Sequence, residues 1–214
     1  MALHPLRRAG GADLAPVTRN PPPGVHGGYV DAMILVVAAT ERELAGADGA
    51  VTLVCGIGPV EAAASTARAL ADAGANAVVH VGIAGAKELR PPALVLGSEA
   101  IYCDITGDAD AVLPRVDRVR PDEDLLTVAR RALPDAHVLP IATCARVGGG
   151  TSYEVEGMEG FAVLRAAQLA GVPAVELRCV SNRVDERDRS RWRFDDAFDT
   201  LAAALARVLA ELRR

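Results

Sequence analysis

The chain has 214 residues, which is enough for one domain with a full hydrophobic core and short for two. Half of the residues are apolar and the formal net charge is −5, so the composition argues against a disordered chain and gives no reason to expect nucleic acid or an anionic membrane as a partner. No uncharged apolar run reaches the ~20 residues that a membrane span needs, and the four cysteines show no metal-ligand spacing. We therefore expect a cytoplasmic protein with buried, reduced thiols and no metal.

The first 31 residues are rich in Pro, Gly and Arg and show no hydrophobic periodicity. They also lack the apolar core of a signal peptide. We expect a flexible extension at 1–31, followed by a single domain at 32–214. The ordered pattern begins with MILVVAAT at 33–40, which indicates Met33 as the true start.

Short apolar, β-branched runs alternate with helical patterns along the rest of the chain. The predicted strands lie at 33–40, 51–57, 77–83, 94–102, 138–144 and 174–181. The predicted helices lie at 58–74, 122–133, 158–171 and 195–213. This alternation predicts a three-layer α/β fold, in which a mostly parallel sheet is covered by helices on both faces. Ligands bind such sheets at the carboxyl ends of the strands, so the loops after the strands are the candidate sites.

Two of these loops are notable. ATERE at 39–43 follows the first strand, although two carboxylates at a helix start are ordinarily no more than favourable partners of the helix dipole. VGIAGA at 81–86 has glycines and alanines that admit a close approach, whether of a ligand or of a neighbouring helix. It lacks the GxGxxG spacing of a dinucleotide-binding loop.

Glu159 opens a predicted helix, and Asn182 ends a predicted buried strand. Taken singly, both are common structural features: carboxylates favour helix N-termini, and Asn favours turns at strand ends. They become informative only together with the sequence around them.

In that combination the motifs resemble a known family. The motifs are ATERE at 39–43, CGIGPVEAA at 55–63, VGIAGA at 81–86, VEGMEGFA at 155–162 and LRCVSNRVDERDRSRW at 177–192. They resemble the purine nucleosidase and phosphorylase superfamily, in particular its methylthioadenosine/S-adenosylhomocysteine nucleosidase branch, and most of all the futalosine hydrolases of menaquinone synthesis. The resemblance runs from Met33 to the C-terminus. It implies a mixed central sheet flanked by helices, usually in a homodimer, that acts on a purine nucleoside without a metal or organic cofactor.

The chemistry that this resemblance implies is cleavage of an N-ribosidic bond. The sugar becomes oxocarbenium-like while the purine leaves with excess electron density, so the enzyme must hold the ribose, place a water and neutralise the base. By the resemblance, Glu43 activates the water, Glu159 accepts hydrogen bonds from the ribose hydroxyls, and Met158 packs on the sugar. The substrate-facing strand end consists of Ile83, Ala84 and Gly85.

By the same resemblance, Asn182 meets the purine N7 and the group on C6. The adenine-specific relatives carry Asp there, which can protonate N7 and accept from the 6-amino group. Asn offers one acceptor oxygen and a two-donor NH₂, so it can accept from N7–H while donating to a carbonyl at C6. This pattern fits hypoxanthine, and the expected substrate is futalosine, a 5′-modified inosine.

Hydrolysis is expected over phosphorolysis, because the first loop offers carboxylates and Ile83 stands where many relatives have a hydroxyl; Arg42 leaves phosphorolysis open. Two regions, 103–122 and GGGTSYE at 148–154, are shorter than the resemblance leads us to expect.

The base-stacking residue of the family belongs near Arg146 and Val147, where this sequence has no aromatic residue. We expect the base to rest on Arg146, on Phe161 or on aliphatic side chains. Two alternatives stay open: a methylthioadenosine/S-adenosylhomocysteine nucleosidase, which Asn182 disfavours, and a non-catalytic nucleoside-binding homologue, which the short loops favour. The 5′ substituent of the substrate is also left open.

Overall fold

The computed structural model describes residues 32–105, 116–148 and 150–214; the predicted extension at 1–31 lies outside the described residues, as does the middle of the 103–122 stretch. Within the described ranges one eight-stranded sheet is flanked by four α-helices. The strands are β1 (Ile34–Ala38), β2 (Val51–Val54), β3 (Ala77–Ala86), β4 (Leu94–Tyr102), β5 (Arg118–Val119), β6 (His137–Thr143), β7 (Val155–Gly157) and β8 (Ala174–Arg183). The helices are α1 (Pro59–Ala73), α2 (Glu123–Ala132), α3 (Gly160–Ala170) and α4 (Phe194–Leu212).

The sheet is mixed and mostly parallel, as predicted. The strands follow the order β2-β1-β3-β7-β6-β4-β5, and β8 pairs with both β3 and β4. Five of these pairings are parallel and three are antiparallel. Because β8 bridges β3 and β4, the strands β3, β8, β4, β6 and β7 close into a ring. The sequence did not predict β5 and β7, because two or three residues are too few to show a periodicity.

Apolar side chains pack on both faces of the sheet, which confirms the predicted three layers. On one face they pack under α2 and α4, and on the other under α1 and α3. A smaller apolar cluster around Val95, Ile141 and Val180 fills the space between strands of the ring. Burial on both faces explains why the long strands read as nearly continuous apolar runs.

The predicted helix boundaries hold to within one or two residues. α1 begins with Pro59 and is capped at its C-terminal end by Gly74, whose φ of +63° suits a residue without a Cβ. The helix predicted at 158–171 begins at Gly160, which leaves Met158 and Glu159 in the turn after β7. This placement matters, because both side chains reach the cavity described below.

All four cysteines are free thiols. Cys55, Cys144 and Cys179 are buried, as predicted, while Cys103 is half-buried. Burial raises the pKa of each of the three buried thiols to about 12, so they are neutral near pH 7. Among the helices that the structure describes, none is long and apolar enough to cross a membrane.

Candidate active site

A cavity of about 280 Å³ lies where β3 and β8 end. It collects residues from several separate loops, which is typical of ligand sites at the carboxyl ends of parallel strands. The predicted site residues that line it are Glu43, Ile83, Ala84, Gly85, Arg146, Val147, Met158, Glu159 and Asn182.

Glu43 is held rigidly at one side of the cavity. It belongs to a 3₁₀ turn, Glu41–Leu44, and is only 5% exposed. Its Oε1 accepts a hydrogen bond from the backbone N–H of Ile83 (3.0 Å), and its Oε2 accepts from the backbone N–H (3.0 Å) and the hydroxyl (2.8 Å) of Thr40. Together with Thr40 it forms a capping box at the start of the turn. The carboxylate is thus fixed by three donors beside the space that a ligand would occupy, where it could take a proton from a bound water.

Glu159 is a second buried carboxylate of the cavity. It stands at the N-terminal end of α3 and is 4% exposed. Its Oε1 accepts from the backbone N–H of Gly58 (3.1 Å), and its Oε2 lies 3.5 Å from Nη1 of Arg178. The side chain therefore links the start of α1 to β8 while it lines the cavity next to Met158.

Arg178 is a fully buried arginine beneath these carboxylates. Its Nε donates to Oε1 of Glu176 (2.8 Å), its Nη2 donates to Nε2 of His80 (2.6 Å), and its Nη1 donates to the carbonyl of Ile83 (3.3 Å). The Nδ1 of His80 lies 2.9 Å from the carbonyl of Val37, which can only accept, so Nδ1 carries the proton and Nε2 is the acceptor. Burial, followed by the charge of Arg178, lowers the pKa of His80 well below 6.5, in keeping with this neutral tautomer.

Two glycines make room for the guanidinium of Arg178. A Cβ at Gly82 would overlap Nη1, and a Cβ at Gly157 would lie 3.2 Å from Cζ. The glycine of VGIAGA at position 82 therefore serves an internal arginine, whereas the sequence alone left open a ligand or a helix.

Asn182 reaches the cavity through an irregularity in the sheet. The pairing of β3 with β8 runs regularly to Ala84 and Val180, and then skips Ser181 so that Gly85 pairs with Asn182. Such bulges re-aim side chains next to active sites. The Nδ2 of Asn182 donates to the carbonyl of Arg183 (2.8 Å), and its Oδ1 accepts from the hydroxyl of Ser181 (2.8 Å).

An aromatic wall that the sequence did not assign to the site completes the cavity. It consists of Trp192, Phe194 and Phe198. The guanidinium of Arg42 lies 4.2 Å from the centre of the Phe198 ring and pairs with Asp195. Trp192 is the last residue of the motif at 177–192, whereas nothing in the sequence placed Phe194 and Phe198, at the start of the last helix, at a cavity.

Phe161 is placed differently from our expectation. It does not line the cavity; its ring stacks on Tyr102, with the ring centroids 5.4 Å apart, and its backbone N–H donates to Oγ1 of Thr143. Its side chain belongs to the core under α1 and α3. The structure therefore does not support Phe161 as a platform for the base, whereas Arg146 and Val147 lie at the exposed rim of the cavity.

The sequence also missed His80, Glu176 and Arg178, which lie inside strands that read as apolar. Charged side chains in such a run were the available signal, because a buried charge needs a partner. In the described part of the chain, no group of three or more His, Cys, Asp or Glu side chains is arranged to hold a metal.

Comparisons with known proteins identify the family of this chain. Residues 39–214 match the family model of the phosphorylase superfamily. The futalosine hydrolase of Streptomyces coelicolor is 34% identical over 186 residues, covering 75% of this chain and 79% of that protein. The futalosine hydrolase of Thermus thermophilus is 46% identical over 57 residues, covering 27% of this chain and 25% of that protein.

Solved structures share the fold. The Streptococcus pneumoniae MTA/SAH nucleosidase, in complex with 8-aminoadenine, has a TM-score of 0.72 at 21% identity and covers 83% of this chain and 98% of its own. A futalosine hydrolase mutant of Helicobacter pylori has a TM-score of 0.72 at 19% identity and covers 85% of this chain and 98% of its own.

Proposed function

This chain belongs to the phosphorylase superfamily as a nucleosidase, and we propose that it hydrolyses the N-ribosidic bond of futalosine, releasing hypoxanthine as a step of menaquinone synthesis. Futalosine is a 5′-modified inosine, so the site must recognise a 6-oxopurine, hold a ribose and deliver a water to the anomeric carbon.

The hydrogen-bonding capacity of Asn182 is the observation that carries the proposal. The carbonyl of Arg183 can only accept, so the NH₂ of Asn182 must face it. After this bond and the one from Ser181, one N–H and one lone pair of the amide remain. That pair of groups matches a base with a carbonyl at C6 and a proton on N7. An adenine would present its amino group to the remaining N–H, and two donors would face each other.

The two buried carboxylates supply the other functions. Glu159 lines the cavity beside Met158 and is acceptor-only when ionised, so it suits the ribose hydroxyls. Glu43 lines the same cavity from the loop after β1. It would take a proton from a water while the oxygen of that water bonds to C1′. The C1′–N9 bond breaks in this step, and its electron pair leaves with the base. The departing hypoxanthine takes up a proton from solvent at N7, and this N7–H donates to Oδ1 of Asn182, while Glu43 later returns the proton of the attacking water to solvent.

The test is release of free base. The full chain is incubated with futalosine, inosine, methylthioadenosine and S-adenosylhomocysteine, and the products are separated by chromatography. We expect hypoxanthine from futalosine at the highest kcat/KM. Adenine from methylthioadenosine as the main product would instead assign an MTA/SAH nucleosidase, and binding of inosine without turnover of any substrate would assign a non-catalytic homologue.

We also propose that the enzyme is a cytoplasmic homodimer. Ile57 lines the cavity, and Ile57 and Val60 are 63% and 77% exposed, so they offer apolar surface to a second copy. The free thiols suit a reducing compartment. Analytical ultracentrifugation tests the dimer, and a monomer at micromolar concentration would contradict it.

A further inference from the structure

Glu176 is a buried carboxylate that the proposed reaction does not use. It lies on β8 with no exposed surface, and its Oε1 accepts from Nε of Arg178 at 2.8 Å. Its Oε2 is buried without a hydrogen-bond partner. A buried carboxylate that is only partly satisfied costs folding free energy, so a purely structural role for it is unfavourable.

The chain makes room for this carboxylate at two positions. A Cβ at Gly160 would overlap both carboxylate oxygens of Glu176, and a Cβ at Gly97 would lie 3.4 Å from Oε2. Gly160 is the first residue of α3 and directly follows Glu159. The side chain of Glu176 is thus packed against the turn that carries Glu159, the residue proposed to bind the ribose.

The bond from Glu176 determines where the guanidinium of Arg178 points. Nε is held by Glu176 and Nη2 by His80, so Nη1 is directed at the carbonyl of Ile83 and lies 3.5 Å from Oε2 of Glu159. A guanidinium is planar, so fixing Nε and Nη2 also fixes Nη1.

We propose that Glu176 is a positioning residue which, through Nε of Arg178, holds the guanidinium against Glu159 and so orients the carboxylate that binds ribose. The inference rests on the proposed role of Glu159 in binding the sugar. Glu176 touches neither the base nor the sugar in this scheme.

The experiment measures the affinity of the full chain for inosine and for free hypoxanthine by calorimetry, together with kcat and KM on futalosine. Glu176→Leu removes the acceptor for Nε, and Glu176→Gln keeps an oxygen that can accept from it. Leu177→Met is the matched control, because Leu177 is the next residue of β8 and its side chain packs in the core under α2 and α4.

We expect the Leu variant to lose at least tenfold in inosine affinity while its hypoxanthine affinity stays within about twofold of wild type. The Gln variant should recover inosine affinity to within about threefold, and Leu177→Met should match wild type in both. If the Glu176→Leu variant does not fold, Gly160→Ala is tested in its place. Its added methyl displaces the carboxylate of Glu176 from Arg178 without removing the carboxylate from the chain.

Equal losses for inosine and hypoxanthine, unchanged inosine affinity in the Leu variant, or a Gln variant as impaired as the Leu variant would each overturn the proposal. The affinity ratio does not depend on turnover. A wild-type protein that binds inosine but cleaves no futalosine therefore refutes the proposed function while the role of Glu176 is still decided.

Discussion

Oε1 of Glu43 accepts a 3.0 Å hydrogen bond from the backbone N–H of Ile83, and this bond joins the loop after β1 to the cavity end of β3. The donor is main chain, so the orientation of the carboxylate does not depend on which side chain occupies position 83. An aliphatic side chain such as Ile83 is therefore compatible with a fixed Glu43.

Glu43→Gln should strongly lower the turnover of futalosine and preserve the binding of inosine. Gln has one acceptor oxygen for the three donors that Glu43 now accepts from, and it cannot take the proton of a water. We expect kcat on futalosine to fall by about 100-fold or more, with inosine affinity within a few-fold of wild type. Glu41→Gln, an exposed neighbour in the same turn, is the control and should keep wild-type kcat. A fully active Glu43→Gln variant would exclude this residue as the base.

Asn182→Asp should change base preference. A carboxylate oxygen would replace the NH₂ that now faces the carbonyl of Arg183, and it would accept from a 6-amino group instead of donating to a 6-carbonyl. We expect the ratio of kcat/KM for matched inosine and adenosine analogues to fall at least about tenfold, with a loss of about 1–3 kcal/mol in unfolding free energy. Asn76→Asp, the same change outside the cavity, should leave the ratio unaltered. An unchanged ratio in the Asn182 variant would remove the support for hypoxanthine.

His80 should make the stability of the protein depend on pH below its ordinary pKa. Burial lowers the pKa of His80 in the folded state, so below about pH 6.5 the unfolded chain takes up a proton that the folded chain does not. The unfolding free energy therefore decreases as the pH falls, by up to about 1.4 kcal/mol per pH unit from this group.

The measurement is urea denaturation between pH 5 and 8. His80→Gln keeps a donor for Val37 and an acceptor for Arg178, and it should remove this part of the slope below pH 6.5. His137→Gln, an exposed histidine at the start of β6, is the control. Identical slopes for wild type and His80→Gln would mean that His80 ionises alike in both states.

Gly82→Ala should lower both the stability and the kcat/KM of the protein, although it adds only one methyl group. The methyl would overlap Nη1 of Arg178 and lie 3.1 Å from Oε1 of Glu43. We expect a loss of about 1–3 kcal/mol in stability and at least a tenfold loss in kcat/KM. Gly74→Ala is the control: its φ of +63° makes Ala unfavourable, yet open space surrounds it, so stability should fall without a change in kcat/KM. Equal kcat/KM in both variants would contradict the role of Gly82.

A chain that starts at Met33 should keep its melting temperature and activity. Residues 1–31 are rich in Pro and Gly and fall outside the resemblance, and the backbone nitrogen of Met33 already donates to Oδ1 of Asn76 at 2.9 Å. Thermal denaturation and the futalosine assay compare the two chains. A large drop in melting temperature would show that the removed segment contributes to the fold.

The elements and site residues that could be predicted from the sequence are those whose signals lie in neighbouring positions of the chain. β1 and β3 were predictable because their burial on both faces produces continuous apolar runs. Glu43 and Asn182 were identified through motifs that surround them in the chain. The partners of Arg178 could not be predicted in the same way, because His80 and Glu159 come from distant segments and meet it only through the sheet ring. The stacking of Phe161 on Tyr102 likewise depends on packing between elements, which the spacing of a motif does not reveal.

The packing of glycines around the buried charges restricts how this site can evolve. Replacing Arg178 alone would leave a void between Gly82 and Gly157 and strand the carboxylate of Glu176, whereas a side chain at either Gly82 or Gly160 would collide with the charges that are there now. Each single step should be deleterious, whereas apolar residues that replace Arg178, Glu176 and Gly160 together would remove these buried charges and fill their space. Divergence at these positions should therefore be epistatic, with the glycines and the charged residues changing together across lineages.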